Sequence, residues 1–220
     1  MTATDTIKYK YSKDSFFLLV LLLAFISASL FFFNWIVDDL YIYFRYVSNF
    51  LNGKGIAYNV GDNVEGFSSF LWFLILASAG LLKQNPEISA KIISLFFGVS
   101  SLYLLYGISK KLIPGTWNLY PVLFSAVNLP FVLWSASGFE IPMYTFFLLL
   151  SFYNTITVSE TKAILSVFLI FCLTVLRAEG FLMSFVYIFW MFFYLENRRK
   201  YFYFVLIVYF ILTSLFLAFR

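Results

Sequence analysis

The sequence predicts an all-α fold, a polytopic membrane helix bundle, and three observations predict it. Of the 220 residues, 62% are hydrophobic and only 12% charged, with a mean hydropathy of +0.89; an ordinary globular protein has about 45–50% apolar and about 25% charged residues. Apolar runs recur along the whole chain, several of them long enough to cross a hydrocarbon core of about 30 Å as helices. The few basic residues stand in short groups between those runs, the arrangement that orients a multi-pass protein. The 31 Phe, 16 Tyr and 5 Trp would overfill a water-facing surface, which argues against a soluble enzyme. The net charge of +4 implies no nucleic-acid partner, because its basic residues are spread between apolar runs.

Two absences limit the chemistry. The chain has no His, so Ser/His/Asp and Cys/His catalysis and imidazole metal ligation are excluded. Its single thiol, Cys172, has no intrachain disulfide partner. Carboxylates, Arg, Lys, Tyr or bound ions must do any chemistry.

The first apolar run, residues 16–36, follows Lys8, Lys10 and Lys13 and continues through Leu30-Phe31-Phe32-Phe33, past the one small-residue site a signal peptidase would use. It reads as an uncleaved anchor with residues 1–15 as a cytoplasmic tail. Further runs occupy residues 67–82, 88–108, 117–135, 141–158, 163–176, 181–195 and 201–219. The run 67–82 is short and opens with Ser68 and Ser69, so it reads either as a span or as an interfacial segment that returns to its own side.

Charge decides between them. If it does not cross, Lys8, Lys10, Lys13, Lys110, Lys111, Lys162, Arg198, Arg199 and Lys200 face the cytoplasm, nine against six outside; if it crosses, the count becomes seven against eight. The sequence therefore predicts a single membrane domain over 1–220 with about seven transmembrane helices, a first external loop with juxtamembrane helices over 37–87, and the rest of the bundle over 88–220. The expected location is a bacterial inner (plasma) membrane, multi-pass, with the N-terminus cytoplasmic. Asp38, Asp39, Glu65, Glu140, Arg177 and Glu179 then all fall on the external or periplasmic side.

Directly after the first run, a helical wheel of about 100° per residue places Asp38, Tyr41, Ile42, Arg45, Asn49 and Asn52 on one face and Leu40, Phe44, Val47 and Leu51 on the other. This predicts an amphipathic helix on the membrane surface, its apolar face in the lipid boundary, ended by glycine. Asp38 and Asp39 could serve it simply as capping acids. The stretch from Tyr58 to Ser69, rich in Asn, Gly and Asp, predicts a turn-rich loop of a length that usually carries function.

The run DDLYIYFRYVSNFLNGKGIAYNVGDNVEGFSSFLW resembles the first external loop of integral-membrane glycosyltransferases of the GT-C type, most of all the group that includes the mycobacterial terminal arabinofuranosyltransferase. Ser137-Gly138-Phe139-Glu140 is similar to that group's Gly-Leu-Glu motif, and Arg177-Ala178-Glu179-Gly180 to its Arg-Pro-Glu-Gly, with Ala178 in place of proline. The likeness covers about residues 38–180, most of the chain. Full-length relatives carry further C-terminal helices and a soluble domain, so the chain reads as the N-terminal membrane module of a longer enzyme.

The resemblance implies a transferase that moves a sugar from a polyprenyl-phosphate donor to a glycan or lipid acceptor of the cell envelope, with inversion, for envelope biogenesis. Such a reaction needs one carboxylate to take the acceptor proton and positive charge to stabilise the departing phosphate. By resemblance and position Asp38 is the general base, with Asp39 orienting substrate or assisting a metal. Arg45, on the Asp38 face, is a phosphate contact or an ion-pair partner of Asp38. Arg177 is the preferred phosphate contact, against simple snorkelling to the interface. Tyr41 and Glu179 join the substrate-binding set, and Glu65 and Glu140 could bind sugar hydroxyls or a divalent cation through hard oxygen ligands. Membrane lipid is the other expected partner. Two further classes stay open at this point: a lipid-linked sugar transporter or flippase, and a non-catalytic truncated accessory membrane protein. Charges gathered at one face, rather than near the midplane, speak against transport.

Overall fold

A computed structural model describes residues 3–61, 64, 66–157, 163–194 and 199–219. Among them the regular structure is entirely helical: α1 (Ala3–Phe31), α2 (Asp39–Leu51), α3 (Phe70–Leu81), α4 (Pro86–Leu112), a 3₁₀ turn (Gly115–Leu119), α5 (Tyr120–Ala126), α6 (Leu129–Ser137), α7 (Ile141–Ile156), α8 (Ala163–Leu176), α9 (Ala178–Tyr194) and α10 (Arg199–Phe219).

Three of these helices hold segments long and apolar enough to cross a membrane: Lys13–Phe31, Pro86–Leu112 and Lys200–Phe219. A bent pair, Trp117–Ala126 with Leu129–Ser137, would make a fourth. These long apolar helices fit a membrane protein. The pair replaces the straight run expected over 117–135 and turns through 58°. The cause is local, because Asn128 caps α6 by accepting from the Phe131 amide at 3.0 Å and Pro130 occupies its first turn, where no amide is needed. The first helix also starts earlier than expected, its backbone already helical at Ala3.

Two compact units make up the chain, Met1–Leu40 with Glu87–Phe146 and Tyr41–Pro86 with Phe147–Arg220. In the first, α1 packs along α5 and α6 around Leu18, Phe25, Leu102, Tyr106, Val122 and Val132. Ser94, Gly98 and Ser101 form a small-residue stripe on α4 that lets backbones approach closely. A Cβ at Gly98 would collide with the Ser135 side chain of α6. Ser94 donates to the carbonyls of Trp134 or Phe139, at 3.1 and 3.0 Å.

In the second unit α8 packs against α9, α10 and α3. Its apolar core includes Val167, Ile170, Tyr187, Ile188, Met191, Val205 and Tyr209. Two buried polar nodes tie these helices. Asn154 Nδ2 donates to Ser166 Oγ at 2.8 Å and lies 3.2 Å from the Tyr187 hydroxyl, while Thr174 Oγ1 bonds Ser184 Oγ at 3.1 Å and the Tyr209 hydroxyl at 2.9 Å. Hydroxyls and amides paired across helices are each worth about 0.6 kcal/mol in a membrane protein. Phe70, at the start of α3, packs its ring against Phe216 and Phe219 at the end of α10. With 12 residues, α3 is about 18 Å long, too short to cross about 30 Å of hydrocarbon.

Candidate functional site

Helix α2 has the bounds its periodicity predicts, and the chain leaves it through Gly53 at φ 73°. Its buried side differs from the expected one. Tyr43, Tyr46, Val47 and Asn49 are buried, whereas Tyr41, Arg45 and Asn52 are exposed and Phe44 is half-buried. The reason is the loop after it, which folds back onto the helix within the second unit. Asn49 Nδ2 donates to the carbonyls of Ala57 at 2.7 Å and Tyr58 at 2.9 Å, and Arg45 Nε donates to that of Tyr58 at 3.2 Å. The Tyr46 hydroxyl donates to Val64 and accepts from the Gly66 amide, and the Tyr43 hydroxyl accepts from the Ser69 amide at 3.0 Å. Phe67 then packs on Tyr43, Tyr46 and Phe73. Of the apolar face expected in the lipid boundary, Leu40 and Val47 are buried and Phe44 and Leu51 half-buried, and Asn49 belongs to the buried side.

In the first unit Asp38 and Asp39 are both exposed at the head of α2, where Asp38 Oδ1 accepts from the Asp39 amide at 3.1 Å. This short cap supplies an acceptor where a helix start leaves amides unpaired. The next residue, Leu40, is fully buried and packs against Gly138, the left-handed residue (φ 83°) that ends α6. A Cβ at Gly138 would lie 3.0 Å from Leu40, 3.2 Å from Ala90 and 3.3 Å from Lys91, so only glycine lets the chain turn there. Two residues on, Glu140 is completely buried and its carbonyl accepts from Tyr144 as α7 starts. The structure thus brings the head of α2, the turn before Glu140 and α4 together around Gly138.

Lys91 is the residue that sequence reasoning missed. One of the six basic residues that the charge count leaves outside, it is only 2% exposed. Its ammonium donates to the Phe33 carbonyl and to Glu87 Oε1, both at 2.7 Å, and stands 5.2 Å from the centre of the Phe33 ring. The signal lay in the Glu87 to Lys91 spacing, with the acid one helical turn before the base.

In the second unit Arg177 and Glu179 form a two-pronged ion pair at the α8–α9 junction, Nε to Oε2 and Nη2 to Oε1, each 3.3 Å. The hydrogen-bonded guanidinium holds the Glu179 carboxyl below its ordinary value. The neighbouring glycine has a plain reason: a Cβ at Gly180 would collide with the Leu173 carbonyl, which itself accepts from the Arg177 amide. Tyr41 is exposed and meets the Phe44 ring edge-on. Glu65 lies outside the described residues. Among the described residues no group of three or more Asp, Glu or Cys is placed to hold a metal ion. No family model, no curated protein and no solved structure matches this chain.

Proposed function

We propose that this chain is a membrane glycosyltransferase that passes a sugar from a polyprenyl-phosphate donor to an envelope acceptor on the external face, with seven spans in a bacterial inner membrane. The loop motif from Asp38 to Trp72 suggests the class. The observation that carries the reading is the exposed Asp38 carboxylate, fixed at the head of α2 by the Asp39 amide and by the seat of Leu40 on Gly138.

In this reading Asp38 removes the acceptor hydroxyl proton as that oxygen attacks the anomeric carbon. The bond to the donor phosphate breaks, the configuration inverts, and the lipid phosphate leaves with the electron pair. Lipid phosphate is a good leaving group, so no second acid is required, in contrast to glycoside hydrolysis. Asp39 orients the substrate, and Arg45, exposed and two turns along α2, meets the charge on phosphate. In this reading the sequence runs 141–158, 163–176 and 181–195 cross the membrane beside the three long apolar helices and the bent pair.

Mass spectrometry of envelope glycans and lipid-linked sugars, with and without the gene, tests the class. Loss of one glycan with build-up of its polyprenyl-phosphate donor is expected. Asp38→Asn keeps a capping side chain but removes the base, and should lower transfer at least about 100-fold. Unchanged glycans, or full activity of D38N, would refute the assignment.

A further inference from the structure

We propose that Lys91 is a positioning residue, whose buried ammonium locks the end of α1 to α4 beside Gly138 and so fixes where Asp38 stands.

Everything it holds lies within the first unit. Helix α1 runs out at Phe31 in a tightened turn, where Phe32 and Phe33 donate to the carbonyls of Ser29 and Leu30 and Trp35 donates to that of Phe32. The Phe33 carbonyl lies in that turn, two residues beyond the last residue of α1, and Lys91 supplies its donor from another helix, 58 residues away, through a 2.7 Å bond. Only four residues separate Phe33 from Asp38. On the other side of the ammonium, Glu87 accepts at 2.7 Å and keeps the buried charge neutralised.

The stem of Lys91 matters as much as its head. Lys91 Cγ is one of the three atoms a side chain at Gly138 would meet, and Leu40 Cδ2 is another. The stem is therefore packed under the turn that leads to buried Glu140 and beside the residue that follows Asp39. A buried ammonium is costly unless it is paired, so an uncharged packing residue would have been the cheaper choice if filling space were all that is needed here. What the charge adds is a directional hold on a segment with little regular structure, residues 34–38.

The proposal rests on Asp38 being the base, and its test is arranged so that the two can fail separately. The full chain is placed in lipid nanodiscs as wild type, Lys91→Met and Lys91→Arg. Hydrogen exchange is read at residues 32–40 and 137–141, with 163–176 in the second unit as the reference. Lys91→Met should speed exchange about tenfold or more in the first two segments and leave the third unchanged, and Lys91→Arg should restore most of the protection. In transfer assays Lys91→Met should lower kcat about tenfold with donor KM within about twofold, the pattern of a misplaced base rather than a lost substrate contact. Unchanged exchange at both segments overturns the proposal, and so does an equal rise in all three, which would mean general support of the fold. If the wild type transfers no sugar, the glycosyltransferase reading falls while the exchange result still decides the clamp.

Discussion

The Tyr46 hydroxyl accepts from the Gly66 amide at 2.8 Å and donates to the Val64 carbonyl at 2.6 Å, so one side chain of α2 closes a loop that returns 20 residues later. Both bonds are lost in Tyr46→Phe, with the ring packing kept. A partly buried amide and carbonyl left without that partner cost about 1 kcal/mol of local stability. Limited proteolysis within residues 53–69 should then run roughly fivefold faster than in the wild type, with the transmembrane helices uncut. Equal cleavage rates would show that the hydroxyl does not hold the loop.

Gly138 sits at a positive φ with Leu40, Ala90 and Lys91 around it. Gly138→Ala combines left-handed strain of about 1–2 kcal/mol with crowding that costs about 1–3 kcal/mol. Thermal unfolding in detergent should show a clear loss of at least about 2 kcal/mol. Gly115, also at positive φ but with nothing near a Cβ, is the control and should lose less.

The Arg177–Glu179 pair has a pH signature of known sign. Its folded carboxyl lies below the unfolded value, so the stability it adds is present above the ordinary carboxylate range and is lost as pH falls through the folded value. Glu179 is well exposed, so the whole effect should be at most about 1 kcal/mol. Wild type and Glu179→Gln should differ slightly in melting temperature at pH 7 and converge as the pH drops below about 4. A gap that widens in acid would contradict the pairing.

Orientation is open to a direct check. In a Cys172→Ser background, a cysteine placed beside Lys110 and Lys111 should resist a membrane-impermeant thiol reagent in intact cells and react after permeabilisation. Ready labelling in intact cells would reverse the charge-based topology.

The helical membrane character was legible because composition and run length carry it, and α2 was legible because a 3.6-residue period and a glycine stop are local signals. The side of α2 that is buried was not. Asn49 looks like a water-facing residue on a wheel, and only the return of Ala57 and Tyr58 gives its amide two buried carbonyls to serve. The break before α6 was written in Asn128 and Pro130, a cap and a helix-start residue inside an apolar run that hydropathy alone reads as continuous. Asp38, Asp39 and Glu140 could be singled out as acids next to apolar runs. The seating of Leu40, next to Asp39, on Gly138, two residues before Glu140, could not, since it depends on contacts between segments about fifty or a hundred residues apart.

Six hydrogen bonds that fasten the loop to α2 end on backbone atoms of the loop, at Ala57, Tyr58, Val64, Gly66 and Ser69. Every residue type but proline offers those atoms, so these six bonds are indifferent to which outward side chains the loop bears. Ile56, Val60 and Val64 are exposed, and none of the six bonds uses their side chains. The loop is in effect an interchangeable surface on a fixed mount: a library randomised at these three positions would alter what the protein meets without altering how the loop is carried.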